Sequence, residues 1–154
     1  MTRGFAAEIA GWRYPPPYEI YGYADADREE TVRHLADGEN RFFAVLKEGD
    51  LVGFRSFGED GRVAGGIYDD DYLDTGGGLR PDLTGLGHGP EVIRKGLAFG
   101  QSRFGVRRFR VTIADFNQRA QKACRKLGFS ASQHFRRRID GEPFTIYLIE
   151  LKEG

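Results

Sequence analysis

Apolar positions along the chain follow two rhythms, and the changes between them mark the elements. From Gly4 to Trp12, the residues Phe5, Ile9 and Trp12 recur at helical spacing, which predicts a short helix. The run Tyr14-Pro15-Pro16-Pro17-Tyr18 closes it, because proline cannot continue a helix and forces extended backbone ahead of itself. Asp27 to Leu35 predicts a second helix, ended near Gly38. Arg41 to Lys47 and Leu51 to Phe57 then read as strands joined by a hairpin turn at Glu48-Gly49-Asp50. After a second turn at Glu59-Asp60-Gly61, Val63 to Tyr68 is expected to continue the meander and Tyr72 to Leu79 to supply the central strand. The triple glycine Gly76-Gly77-Gly78 is poor strand material and points to a bulge or to parted backbone.

The helical period returns from Gly89 to Phe104, where Val92, Ile93, Gly96, Leu97, Gly100 and Phe104 share a face suited to packing on a sheet. Val106 to Ile113 reads as a strand, and a helix follows Asn117. Ala131 to Arg138 and Thr145 to Leu151 form a last hairpin turned at Asp140-Gly141. In its second strand Ile146 and Leu148 alternate with Tyr147 and Ile149, so both faces are expected to be buried.

The stretch with the most chemical content is Leu79-Arg80-Pro81-Asp82-Leu83-Thr84-Gly85-Leu86-Gly87-His88-Gly89. Three glycines spaced by two let backbone approach a ligand, because no Cβ stands in the way. The helix behind them offers free N–H groups and the positive end of its dipole, so an anion is the natural occupant. Pro90 suits a first helical turn. The reading is a cradle for a pyrophosphate-bearing cofactor, formed by Gly85, Leu86, Gly87, His88 and Gly89. Two familiar phosphate loops do not fit. No lysine follows the glycines, as a nucleoside-triphosphate loop requires, and the spacing and the basic region near residue 109 do not match the dinucleotide fingerprint.

Taken together, the linked motifs resemble the GNAT superfamily of acyl-CoA-dependent N-acetyltransferases. Leu79 and Pro81 match its strand end, and Thr84, Gly87 and Gly89 occupy its loop positions. Asn117, Ala120 and the box Lys126-Leu127-Gly128-Phe129 follow in order. The resemblance implies a single α/β domain over residues 1–154, with a mixed, mostly antiparallel sheet, splayed central strands and flanking helices. Members open with a strand before the first helix, and here only Met1-Thr2-Arg3 precede it, so that strand is either missing or trimmed. Thr84 stands where Arg or Gln is usual, which shifts phosphate binding toward backbone amides. Cys124 stands where a tyrosine often serves as general acid.

Composition narrows the setting. A 40% apolar and 13% aromatic content argues against disorder, and 154 residues suffice for a real core. One cysteine excludes a disulfide framework and a cysteine metal cluster. No apolar run approaches the ~20 residues of a membrane span and no signal-peptide core is seen, so the expected setting is cytoplasmic. Charge is balanced overall but uneven: residues 94–138 carry 13 basic and 1 acidic side chains, and residues 1–93 carry 9 basic and 18 acidic. The basic part contains the cofactor-like motif, and the acidic part suits a cationic amine. Nucleic acid is a weaker partner for the basic part, and a homodimer is compatible with the pattern.

The resemblance implies transfer of an acetyl group from acetyl-CoA to a primary amine, on a small molecule or a protein, by direct attack. A non-catalytic acyl-CoA-binding or sensing module is the alternative. An amine near pKa ~10 must lose a proton first. Asp74, ahead of the loop, is the candidate base, or else a turn aspartate beside Asp69-Asp70-Asp71. The amide of Leu79 is the candidate oxyanion donor. Cys124 is either the acid that protonates the leaving thiolate or buried filler. Asn117 joins Leu79, Thr84 and the glycine loop as a cofactor contact. Trp12, Tyr14, Tyr18, Tyr21 and Tyr23 either line an acceptor pocket or pack in the core.

Overall fold

The structure is a computed structural model that describes residues 1–23 and 25–153. Two helices come first: α1 (Arg3–Ala10) and α2 (Arg28–Ala36). Each starts on an oxygen-bearing side chain that takes a free N–H of the first turn: Thr2 accepts from Phe5, and Asp27 accepts from Glu30. Their apolar faces meet one side of the sheet, where Ala6, Ile9, Val32 and Leu35 pack with Trp12, Phe42 and Phe54.

Strands β1 (Phe42–Lys47) and β2 (Asp50–Phe57) form the expected hairpin. Glu48 and Gly49 both take positive φ, 53° and 87°, the backbone that matches the twist of a two-residue hairpin. Strand β3 (Leu73–Leu79) pairs antiparallel with β2. The long helix α3 (Gly89–Phe104) then crosses to β4 (Arg108–Ala114), which lies parallel to β3. After α4 (Gln118–Leu127), strands β5 (Ser130–Arg136) and β6 (Pro143–Glu150) complete a six-stranded mixed sheet of order β1-β2-β3-β4-β6-β5. On the second face α3 and α4 close a core of Phe57, Leu97, Phe109, Val111, Ile113, Cys124, Phe129 and Tyr147. Phe144 to Tyr147 of β6 are all buried, as its alternation predicts.

One expectation needs correction, and one pair of alternatives is decided. Val63 to Tyr68 is not a strand and carries only an isolated bridge between Ala64 and Gly66. The reason is that β2 already has β1 on one edge and β3 on the other, so this segment cannot continue the meander beside it. It lies instead across the far end of the sheet, with the Ile67 N–H donating to Gln133 Oε1 at 2.9 Å and the Tyr68 hydroxyl 2.9 Å from Thr112 Oγ1. The triple glycine does not bulge against β2 either, since the register runs unbroken from Gly53–Leu79 to Phe57–Thr75. Gly77 is needed for closeness: a Cβ there would overlap the carbonyl oxygen of Phe54.

The parting is on the other edge. Strand β3 pairs with β4 only at Leu73–Phe109 and Asp74–Arg110. Beyond that second rung, Thr75 to Leu79 have no strand partner on the β4 side among the described residues.

Candidate active site

The open edge of β3 leads directly into the glycine loop. A short 3-10 turn, Pro81–Leu83, follows the strand, and Gly85 and Gly87 then take φ of 75° and 86° before α3 begins at Gly89. Nothing lies within 4 Å of a Cβ built on Gly87, so glycine serves the left-handed backbone there, not a lack of room. The His88 side chain makes no capping bond, so it leaves the first-turn amides of α3 uncapped. The Thr84 hydroxyl donates to the carbonyl of Pro81 at 2.8 Å and so holds the loop. Backbone donors and the positive end of a 16-residue helix therefore converge where the chain leaves β3. These groups fit a pyrophosphate, and none of them requires a charged side chain.

Leu79 ends β3 with its polar backbone turned toward the opening. The Arg80 N–H donates to the Val52 carbonyl at 2.8 Å, toward β2. Alternation along an antiparallel strand then directs the N–H and C=O of Leu79 to the other edge. The carbonyl accepts from the Tyr14 hydroxyl at 2.6 Å, while the N–H faces the gap. Burial raises the Tyr14 hydroxyl well above its ordinary pKa, which keeps it a donor. The polyproline stretch after α1 thus reaches across the first face of the sheet to the end of β3, a link that sequence reading missed.

Asp74 is placed differently from the expectation of a base. It is 2% exposed, and both carboxylate oxygens are taken by guanidinium donors. Arg110 donates to both at 2.7 and 2.8 Å, and Arg62 adds a third bond at 2.8 Å. Asp74 also sits at the last β3–β4 rung, five residues before Leu79. A carboxylate so occupied sits at the bottom of the opening with three of its acceptor sites held by arginines.

Cys124 lies in the second core at 2% exposure, and burial pushes its thiol up to about 11. Asn117 caps α4, its side-chain oxygen accepting from the Ala120 N–H at 3.2 Å. Tyr147 is fully buried and donates to Gln121 Oε1 at 2.7 Å. Of the aromatic group, Trp12 belongs to the first core, with Tyr14 and Tyr23 packed against it. Tyr18 and Tyr21 instead stack on each other and meet Phe116 at a tilt, with the Arg119 guanidinium 3.9 Å from the Tyr18 ring.

Sequence reading also passed over Arg55. It stands in mid-strand on β2, 8% exposed, and its neighbours are Thr75, the glycines at 77 and 96, and Cys124. The signal was a lone charge inside the apolar run Leu51–Phe57.

A model of the acetyltransferase (GNAT) family matches residues 6–129. The chain belongs to that family. It is an acetyl-CoA-dependent N-acetyltransferase by class, with acetyl-CoA as co-substrate. Solved structures share the fold at low identity. A spermidine N-acetyltransferase SpeG chimera from Vibrio cholerae and hSSAT is 17% identical, covers 97% of this chain and 92% of its own, and superposes with a TM-score of 0.74. AAC(6')-Ib in complex with paromomycin and acetyl-CoA is 16% identical over 97% of this chain and 90% of its own, with a TM-score of 0.76. A GNAT-family acetyltransferase from Bacillus anthracis is 17% identical over 96% and 85%, with a TM-score of 0.63. A comparison with curated proteins finds no match at the sequence level.

Within this GNAT chain, part of the basic excess of residues 94–138 is held in ion pairs. Arg94 pairs with Glu91, Arg107 and Arg108 with Glu150, Arg110 with Asp74 and Arg137 with Asp140. Among the described residues no helix is long and apolar enough to cross a membrane.

Proposed function

We propose that this chain acts as one acetyltransferase domain that moves the acetyl group of acetyl-CoA onto a primary amine by direct attack in the β3–β4 opening. The observation that carries the reading is the unpaired edge of β3, which ends with the Leu79 N–H facing the gap and runs straight into the glycine loop. The amides from Leu86 to Gly89 would hold the pyrophosphate, and the free polar groups of Thr75 to Leu79 would pair with the amides of the pantetheine arm. Attack of a neutral amine on the thioester carbon puts negative charge on the carbonyl oxygen, and the Leu79 N–H is the donor for it. The C–S bond then breaks, sulfur leaves with the electron pair, and the amine nitrogen gives up a proton. Because Asp74 is held by two arginines, that proton passes to water, and the rate should rise with pH as the free amine becomes abundant.

Small-molecule amines are the acceptor class to try first, since two of the similar folds are a spermidine and an aminoglycoside acetyltransferase. Tyr18, Tyr21 and Phe116 form an aromatic cluster next to Asn117 on the side where α4 starts, a surface that suits a cationic chain. A mass-based acetylation screen with polyamines, aminoglycosides and peptide amines tests the reading; added mass of one acetyl group on any of them supports it.

One observation favours a second reading, an acyl-CoA-binding module without turnover: both the Asp74 carboxylate and the Cys124 thiol are buried. CoA titration with no acetylation across the same panel would select it.

A further inference from the structure

Arg55 is a buried cation without an anion. Among the described residues no carboxylate pairs with it. One terminal nitrogen donates to Thr75 Oγ1 at 3.2 Å, and Nε has no partner at all. Burial pushes the guanidinium down to about 10, which still leaves it charged at neutral pH. A desolvated charge of this kind is costly unless something offsets it, and the fold has made room for it deliberately. A Cβ on Gly96 of α3 would come within 3.1 Å of Arg55 Cγ and Nε, and one on Gly77 of β3 within 2.9 Å of a terminal nitrogen.

Its position gives the charge a use. Residues alternate across the sheet, so Arg55 shares the α3/α4 face with Phe57, Thr75 and Gly77. Thr75 is the first residue of β3 beyond the last β3–β4 rung. On that face α3 makes the crossover from β3 to β4, and α4 contributes the buried Cys124 to the same core. The guanidinium therefore lies under the base of the opening, enclosed by β3, α3 and α4. The phosphates of CoA belong at the glycine loop, at the other end of that opening, so they are not its partner.

We propose that Arg55 is a catalytic residue that stabilises the thiolate released from acetyl-CoA. This rests on the acetyltransferase reading above. When the amine nitrogen bonds to the acyl carbon and the C–S bond breaks, sulfur keeps the electron pair and becomes an anion inside the opening. A fixed guanidinium neutralises that charge without any proton transfer, and the thiolate takes its proton from water after release. This gives the reaction a stabilised leaving group without an acid at Cys124.

The test reads the CoA thiol directly. Free CoA is bound to the wild-type protein and titrated by the ultraviolet absorbance of its thiolate. Arg55 should lower the pH of ionisation below that of free CoA by about one unit, a tenfold rise in thiolate fraction. Arg55→Met should abolish the shift and lower kcat at least about tenfold with little change in KM for acetyl-CoA, while Arg55→Lys should restore part of both. An unshifted thiol in the wild type would overturn the proposal even if the variants fail to fold, and would leave the acetyltransferase reading intact. So would a preference for succinyl-CoA over acetyl-CoA that Arg55→Met removes, because the anion would then be an acyl carboxylate. A wild-type protein that binds no CoA would overturn both.

Discussion

The hydroxyl of Tyr14 donates to the carbonyl oxygen of Leu79 at 2.6 Å, across 65 positions of sequence. The bond pins the end of β3 where its N–H faces the opening, so it links the chain after α1 to the geometry of the site.

Tyr14→Phe should therefore cost more in rate than in stability. Loss of one part-buried hydrogen bond removes about 1 kcal/mol, which lowers Tm by roughly 2–4 °C in a chain of this size. With Leu79 less fixed, kcat should fall while KM for acetyl-CoA stays near its wild-type value. Thermal melts and initial rates check both, and an unchanged kcat would separate Tyr14 from the site.

Gly87→Leu should abolish CoA binding without a steric clash in the free protein. The side chain meets open space, so the penalty is the left-handed backbone at φ 86°, about 1–2 kcal/mol for a residue with a Cβ. Relief of that strain reshapes the loop, and a bulky side chain there obstructs close approach of a phosphate. Calorimetric titration with CoA should show no binding in a variant that still melts cooperatively. Normal binding would dissociate the cradle from Gly87.

Asp74→Asn should act on folding, not on proton removal. It takes from the buried Arg110 its buried carboxylate and leaves only the exposed Asp69, 3.2 Å away, so the loss should approach the roughly 3–5 kcal/mol of a broken buried pair. Urea denaturation should show that loss. The pH–rate profile of the folded variant should run parallel to the wild type. A deficit that shrinks as pH rises would restore Asp74 as the base.

Cys124→Ala should keep turnover within about tenfold of wild type, since loss of a working general acid costs ~10²-fold or more. The same variant should flatten the alkaline limb of the stability curve. The thiol pKa is about 11 in the folded chain against an ordinary 9.0, so folding holds the proton more tightly. That stability is fully present below pH 9 and is lost as pH rises toward 11, by up to roughly 2–3 kcal/mol. Chemical denaturation at pH 8 and pH 10.5 measures the difference, and an identical slope in Cys124→Ala would exclude the thiol as its source.

The order of helices and strands was readable from the chain because each element carries its own period. Gly89–Phe104 is bounded as the apolar spacing predicts, and the Glu48-Gly49 turn follows from local backbone preference. The glycine loop was also readable, since positive φ at Gly85 and Gly87 is a local property. Val63 to Tyr68 was misread because a strand exists only where an edge is free to pair, and the arrangement of the sheet decides that. The fate of charges was equally out of reach. Asp74 meets Arg110 across 36 positions and Arg62 across 12, and Arg55 meets none of the acids that the chain carries in excess before residue 94. Sequence fixes which groups can ionise; which of them are paired, and which one is left buried and alone beneath the β3–β4 opening, depends on packing between distant segments.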